Sequence, residues 1–249
     1  MISNYIQNQL KSTTAHTIDT KGNIIINADC MDILPLIPDE SVDMILTDPP
    51  YNIGYAQWDT FFNIEQVTNH WHRILKPNGS VFTFAGWSFV CELITRFDKQ
   101  FTLNDWIIYD RIKGRGAKKR LVSTREDLLW YVKSKEWVFN KDIAYSTIKK
   151  KTGGLGAKNG KECRALSNVW TDISPIVPWS AERYDHPTQK PMAIAKRILD
   201  VFANDSSVIL DCYMGGGSFG IASIHNNHTF VGIEQHPQYY SIAKQRMFQ

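Results

Sequence analysis

Short apolar runs alternate with amphipathic stretches along most of the chain. Seven runs read as strands: "NIIINAD" (23–29), "VDMILTD" (42–48), "SVFTFAG" (80–86), "WIIYDR" (106–111), "LLWYVK" (128–133), "VILDCY" (208–213) and "TFVGIE" (229–234). Apolar positions recur at helical spacing in "NIEQVTNHWHRILK" (63–76), "SFVCELITRFDK" (88–99), "PMAIAKRILDVFA" (191–203) and "PQYYSIAKQRMF" (237–248). Strands alternating with helices predict an α/β fold, a parallel sheet covered on both faces. No internal repeat is present. Residues 146–168, "STIKKKTGGLGAKNGKECRALSN", carry many Gly and Lys and little periodicity, so a mobile loop is expected there. With 111–125, "RIKGRGAKKRLVSTR", it reads as an insertion-like region within the sheet topology, not a separately folding domain.

At 249 residues and 43% apolar, the chain can bury the core of one large domain or of one domain with an insertion. No apolar run approaches the roughly 18 residues of a membrane span, and "MISNYIQNQLKSTT" lacks a signal peptide's apolar core. The expected compartment is the cytoplasm, with no membrane partner. Cys30, Cys91, Cys163 and Cys212 form no CxxC pair, which suggests neither a zinc site nor a disulfide framework. His70 and His72 face different ways on a helix, so no metal is expected.

Charge changes the picture more than composition does. Residues 111–161 hold 15 Lys or Arg against 4 Asp or Glu, a balance of +11, while the whole chain carries only +3. A basic block on an acidic body marks a polyanion partner.

The run "VDMILT" ends in "DPPY", where Pro49 and Pro50 cannot donate to a ladder, leaving Asp48 and Tyr51 at a strand tip. Taken alone, this is a strand followed by a proline turn. A second pattern, "VILDCYMGGGSFGIASI" (208–224), is a strand, an acid, a glycine turn and a helical run. Gly215, Gly217 and Gly220 satisfy GxGxxG, and Glu234 ends the next strand, as in a dinucleotide fingerprint. Only 39 residues run from Asp211 to Gln249, however, room for one βαβα unit and too few for the further strands of a dinucleotide-binding half. A nicotinamide dehydrogenase is therefore the weaker reading, and a circularly permuted nucleoside-cofactor fold the stronger.

"DPPY", then "HPTQKP" (186–191), then "DCYMGGGSFG", in that order, resemble the β-class amino DNA methyltransferases. The flanks "INADCMDILPLIPDESVDMILTDPPYNI" and "GIEQHPQYYSIAKQR" resemble the family's opening and closing segments, and the likeness covers most of the chain except the basic region. The resemblance implies a doubly wound, mostly parallel seven-stranded sheet, circularly permuted, in a single domain (1–249), with an inserted basic target-recognition region within 111–185. Two departures stand out: Cys212 and Tyr213 replace the family's usual Pro and Phe, and Ser218 replaces Thr. Ring and hydroxyl survive, while Cys212 is expected to loosen the turn.

The same resemblance implies methyl transfer from S-adenosylmethionine to the exocyclic N6 of adenine in double-stranded DNA. Asp48 and the carbonyl of Pro49 would each accept an amine N–H, Pro50 would stiffen the turn, and Tyr51 would stack on the flipped base. Glu234 would hold the ribose, and Asp29 with Cys30 would lie near the adenine. Lys190 would meet the methionine carboxylate, and Asp211, Tyr213, Gly215, Gly217 and Ser218 would surround the methionine portion. Arg111, Lys113, Arg115, Lys118, Lys119, Arg120 and Arg125 are expected on phosphates. A homodimer and a cognate restriction endonuclease are the partners such enzymes bring with them. The alternatives are a cytosine-N4 DNA methyltransferase, an RNA adenine methyltransferase and a non-catalytic DNA-binding module.

Overall fold

The computed structural model describes residues 1–51, 63–115, 119, 121–146, 148–149, 163–184 and 188–248. In chain order its elements are α1 (Ile2–Gln9), β1 (His16–Ile18), β2 (Ile24–Asn27), α2 (Cys30–Ile33), β3 (Val42–Thr47), α3 (Ile64–Ile74), β4 (Leu75–Ala85) and α4 (Val90–Phe97). There follow β5 (Thr102–Arg115), β6 (Ser123–Val132), α5 (Lys141–Ser146), β7 (Ile148–Lys149), β8 (Cys163–Arg164) and β9 (Val169–Trp170). The last five are α6 (Met192–Phe202), β10 (Val208–Asp211), α7 (Ser218–His225), β11 (Thr229–Glu234) and α8 (Pro237–Phe248).

One sheet runs in the order β1-β2-β11-β10-β3-β4-β6-β5-β9. From β2 to β4 every pairing is parallel; β6 is antiparallel to β4 and β5, and β1 is antiparallel to β2. All seven expected strands are present. The sheet has nine, because the three-residue β1 and two-residue β9 cap its edges, too short to register as apolar runs.

Side-chain alternation explains the near-continuous apolar strands. Ile24, Ile26, Ile45, Val81, Leu129, Tyr131 and Leu210 point into one core, with α3 and α4 supplying Val67, Trp71, Leu93 and Phe97. Ile25, Met44, Leu46, Phe82, Leu128 and Ile209 point into the other, against Ile194 and Ile198 of α6 and Phe219 of α7. A strand buried on both faces has no polar side to show.

β5 pairs antiparallel with β6 in the main sheet, so the described residues of the basic stretch 111–125 lie at the far end of these two strands. Most of the expected loop at 146–168 lies outside the described residues; β7 pairs with β8 as a separate two-stranded ribbon.

Candidate active site

In a parallel sheet, ligands gather beyond the carboxyl ends of the strands. Here β2 runs out into Asp29, β3 into Asp48, β10 ends in Asp211 and β11 in Glu234. β6 enters antiparallel, so its early residues reach the same end: Asp127 sits opposite Ala85, the last residue of β4. These tips surround a cavity of about 310 Å³, lined among others by Asp29, Asp48, Glu126, Lys190, Tyr213 and Glu234. Pro49, Pro50, Tyr51, Cys30, Asp211, Gly215 and Ser218 also face it.

On one side lies a chain of alternating charges. Lys190 Nζ is 2.5 Å from Asp48 Oδ2 and 3.4 Å from Glu126, and Arg111 Nε is 3.4 Å from the other oxygen of Glu126. The Tyr51 hydroxyl donates to Asp48 Oδ1. The Tyr51 ring packs on Gly86, where an added Cβ would come within 3.1 Å of it. Lys190 is only 6% exposed. Burial pulls its ammonium's pKa down, but Asp48 and Glu126 push it up and prevail, leaving it above the ordinary lysine value. Burial, together with the Asp48 carboxylate, holds the Tyr51 phenol well above its usual pKa.

On the other side the glycine turn is tied down. Glu234 accepts the backbone N–H of Gly215 at 2.9 Å on one oxygen and that of His236 at 2.7 Å on the other. Burial raises its pKa despite these donors. Gly215 (φ 51°) and Gly217 (φ 80°) adopt left-handed backbone, which L side chains resist. Asp211 accepts from Thr47 Oγ1 at 2.6 Å and from the Tyr213 N–H at 3.1 Å, linking the tips of β3 and β10. Its burial pushes the carboxyl up to about 7. Asp29 caps α2 by accepting the Met31 N–H. The Cys30 thiol, pushed by burial to about 12, donates to the Tyr213 hydroxyl at 3.5 Å.

Several of the expected site residues have partners within the protein. Lys190, expected at a cofactor carboxylate, pairs here with Asp48, because the segment before α6 brings it back over Phe84 toward the end of β3. Gly217 faces away from the cavity: a Cβ there would lie 2.7 Å from Met247 of α8, so its glycine serves helix packing and the turn. Arg111, expected on phosphates, is 14% exposed, paired with Glu126, and donates across the hairpin to the Ser123 carbonyl. Arg125 is half exposed and pairs with Asp127 at the cavity rim. Lys119 is exposed. Lys113 and Arg115 lie in the β5 backbone, while Lys118 and Arg120 fall outside the described residues. Cys212, expected to loosen the turn, is buried: its sulfur, 2% exposed, accepts the Trp71 indole N–H at 3.3 Å.

Glu126 and Tyr184 belong to the site and carry no motif. Tyr184 covers the glycine turn so closely that a Cβ on Gly216 would lie 2.1 Å from its ring, and Arg246 stacks on that ring at 4.0 Å. Arg246 also donates to the Gly216 carbonyl.

The family described as DNA methylase (N6_N4) matches residues 42–245. "DNA adenine methyltransferase YhdJ" of Escherichia coli (strain K12) is 33% identical over 249 aligned positions, covering 91% of this chain and 83% of the relative. "Type II methyltransferase M.HpaI" of Haemophilus parainfluenzae is 28% identical, covering 90% and 73%. The solved "M1.HpyAVI-SAM complex" superposes with a TM-score of 0.64 at 27% identity, covering 89% of this chain and 98% of that one.

Proposed function

This chain belongs to the N6/N4 DNA methylase family, and from that premise we propose that it transfers a methyl group from S-adenosylmethionine to the exocyclic N6 of adenine in double-stranded DNA. The observation that carries the reading is one cavity bounded by Asp48, Pro49 and Tyr51 on one side and by Asp29, Glu234 and the glycine turn on the other.

The residues present fit the cofactor. Each Glu234 oxygen already accepts one backbone N–H, and a carboxylate oxygen has a second lone pair, so the pair suits the two hydroxyls of a ribose. Asp29 and Cys30 flank the adenine end, while Asp211, Tyr213, Gly215 and Ser218 flank the methionine end. Bound S-adenosylmethionine supplies an electrophilic methyl group on its sulfonium.

The chain's own task is to orient an amine whose lone pair is delocalised into the base. Asp48 accepts one N–H and the Pro49 carbonyl the other, which favours a tetrahedral nitrogen with its lone pair aimed at the methyl group. Positioning of this kind accounts for much of the rate. The target base leaves the duplex at a cost of roughly a few kcal/mol. Stacking on Tyr51 offsets roughly 1–3 kcal/mol of that. Lys119, Arg125 and the neighbouring basic residues of the hairpin end contact phosphates, and the 111–185 region reads the target sequence.

The test is nucleoside analysis of DNA from a methylation-free host expressing the chain, beside an Asp48→Ala control. N6-methyladenine absent from the control is the expected result. N4-methylcytosine alone would overturn the choice of base, and preferential modification of RNA would overturn the choice of substrate.

A further inference from the structure

The ion pair on the motif acid poses a problem for the reaction just proposed. Asp48 Oδ2 lies 2.5 Å from a buried ammonium, and its other oxygen takes the Tyr51 hydroxyl. An amine N–H arriving at this carboxylate meets charge already neutralised by Lys190 and competes for the same oxygen. Lys190 is almost wholly buried, so its ammonium cannot retreat into water without another anion to receive it.

Glu126 is that anion. One of its oxygens lies 3.4 Å from Lys190 Nζ, and Arg111 Nε lies 3.4 Å from the other. Two cations and two carboxylates stand in a row, so a short swing of the ammonium from one carboxylate to the other changes no net charge. The path is lined by aromatic faces: Nζ lies 4.7 Å from the Phe84 ring centre and 5.7 Å from that of Tyr51. Such faces accept a cation along the way.

Resting on the methylase reading, we infer that Glu126 is a positioning residue for methyl transfer, the second seat that draws the Lys190 ammonium off Asp48 when the target amine binds. Without Glu126, Lys190 stays locked on Asp48 and masks it.

Single-turnover methylation of duplex DNA tests this with the full chain, Glu126→Gln, Glu126→Asp, Lys190→Gln and the double variant Glu126→Gln/Lys190→Gln. Glu126→Gln is expected to slow the step roughly tenfold or more while KM for DNA and Kd for S-adenosylmethionine stay within about twofold. Glu126→Asp, which keeps the charge on a shorter stem, falls between. The decisive readout is non-additivity: removing Lys190 from the Glu126→Gln background unmasks Asp48 and raises the rate. A double variant at or below the rate of Glu126→Gln, or a Glu126→Gln rate within twofold of the unaltered chain, overturns the inference and leaves the methylase reading standing. No transfer to DNA by the unaltered chain overturns that reading, and this inference with it.

Discussion

Replacing Asp211 by Asn makes stability independent of one buried titration. The folded protein holds this carboxyl at about 7, against 3.8 as its ordinary value, because burial disfavours the anion more than the Thr47 and Tyr213 hydrogen bonds favour it. A group raised on folding binds its proton more tightly in the native state. Its stabilising contribution is therefore complete below the unfolded value and disappears as pH rises through the folded one. At about 1.4 kcal/mol per pH unit, the loss between pH 3.8 and 7 amounts to about 4 kcal/mol. About 2.5 kcal/mol of this falls between pH 5 and pH 8. Thr47 and Tyr213 both donate to the same Asp211 oxygen, so the Asn side chain keeps both partners through its carbonyl. Urea unfolding at pH 5, 6, 7 and 8 should show the stability of Asp211→Asn rising relative to the unaltered chain at each step. Other titrating groups are common to both proteins and cancel in the difference. A difference that stays constant with pH, or that shrinks as pH rises, refutes the assignment.

Gly217→Ala forces a left-handed residue against Met247 and should cost more than the roughly 1 kcal/mol of a simple Gly-to-Ala strain, read as a lower urea midpoint. Trp71→Phe removes the indole N–H that donates to the Cys212 sulfur while keeping an aromatic ring, and about 1 kcal/mol of stability should go with it, measured the same way. Lys119→Ala should leave stability within about 0.5 kcal/mol of the unaltered chain. It should also make the slope of log DNA affinity against log salt shallower by about 0.9; an unchanged slope would remove Lys119 from the phosphate contacts.

The strands and most helices were legible because burial on both faces leaves long unbroken apolar runs, and because β3 runs out into an acid while β10 and β11 each end in one. The tip residues Asp29, Asp48, Asp211 and Glu234 were legible for the same reason. Glu126 was hidden: it sits in the strand run "STREDLLWYV", where the antiparallel entry of β6, invisible in a single chain, swings its early residues to the cavity end. Lys190 was legible as a site residue but not in its partner, since only folding brings the segment before α6 onto the end of β3. Gly217 fits a cofactor motif and a helix-packing need equally well, and only the proximity of Met247 distinguishes them. Charge counting found the basic hairpin but could not separate Arg111, turned inward on Glu126, from Lys119, left in solvent.

The middle of the sheet is also what the ribosome makes late. β10 and β11 lie between β2 and β3, and the pair Leu210–Ile45 joins residues 165 positions apart (210 − 45). At about 5–20 residues per second, β3 waits roughly 10–30 s for that neighbour. Throughout that interval the nascent chain carries two strands, "IIIN" and "VDMILT", each with an open edge waiting for β11 or β10. Such edges recruit other chains. Loss of residues 208–234 would accordingly split the sheet down its centre, turning an interior seam into two adhesive borders.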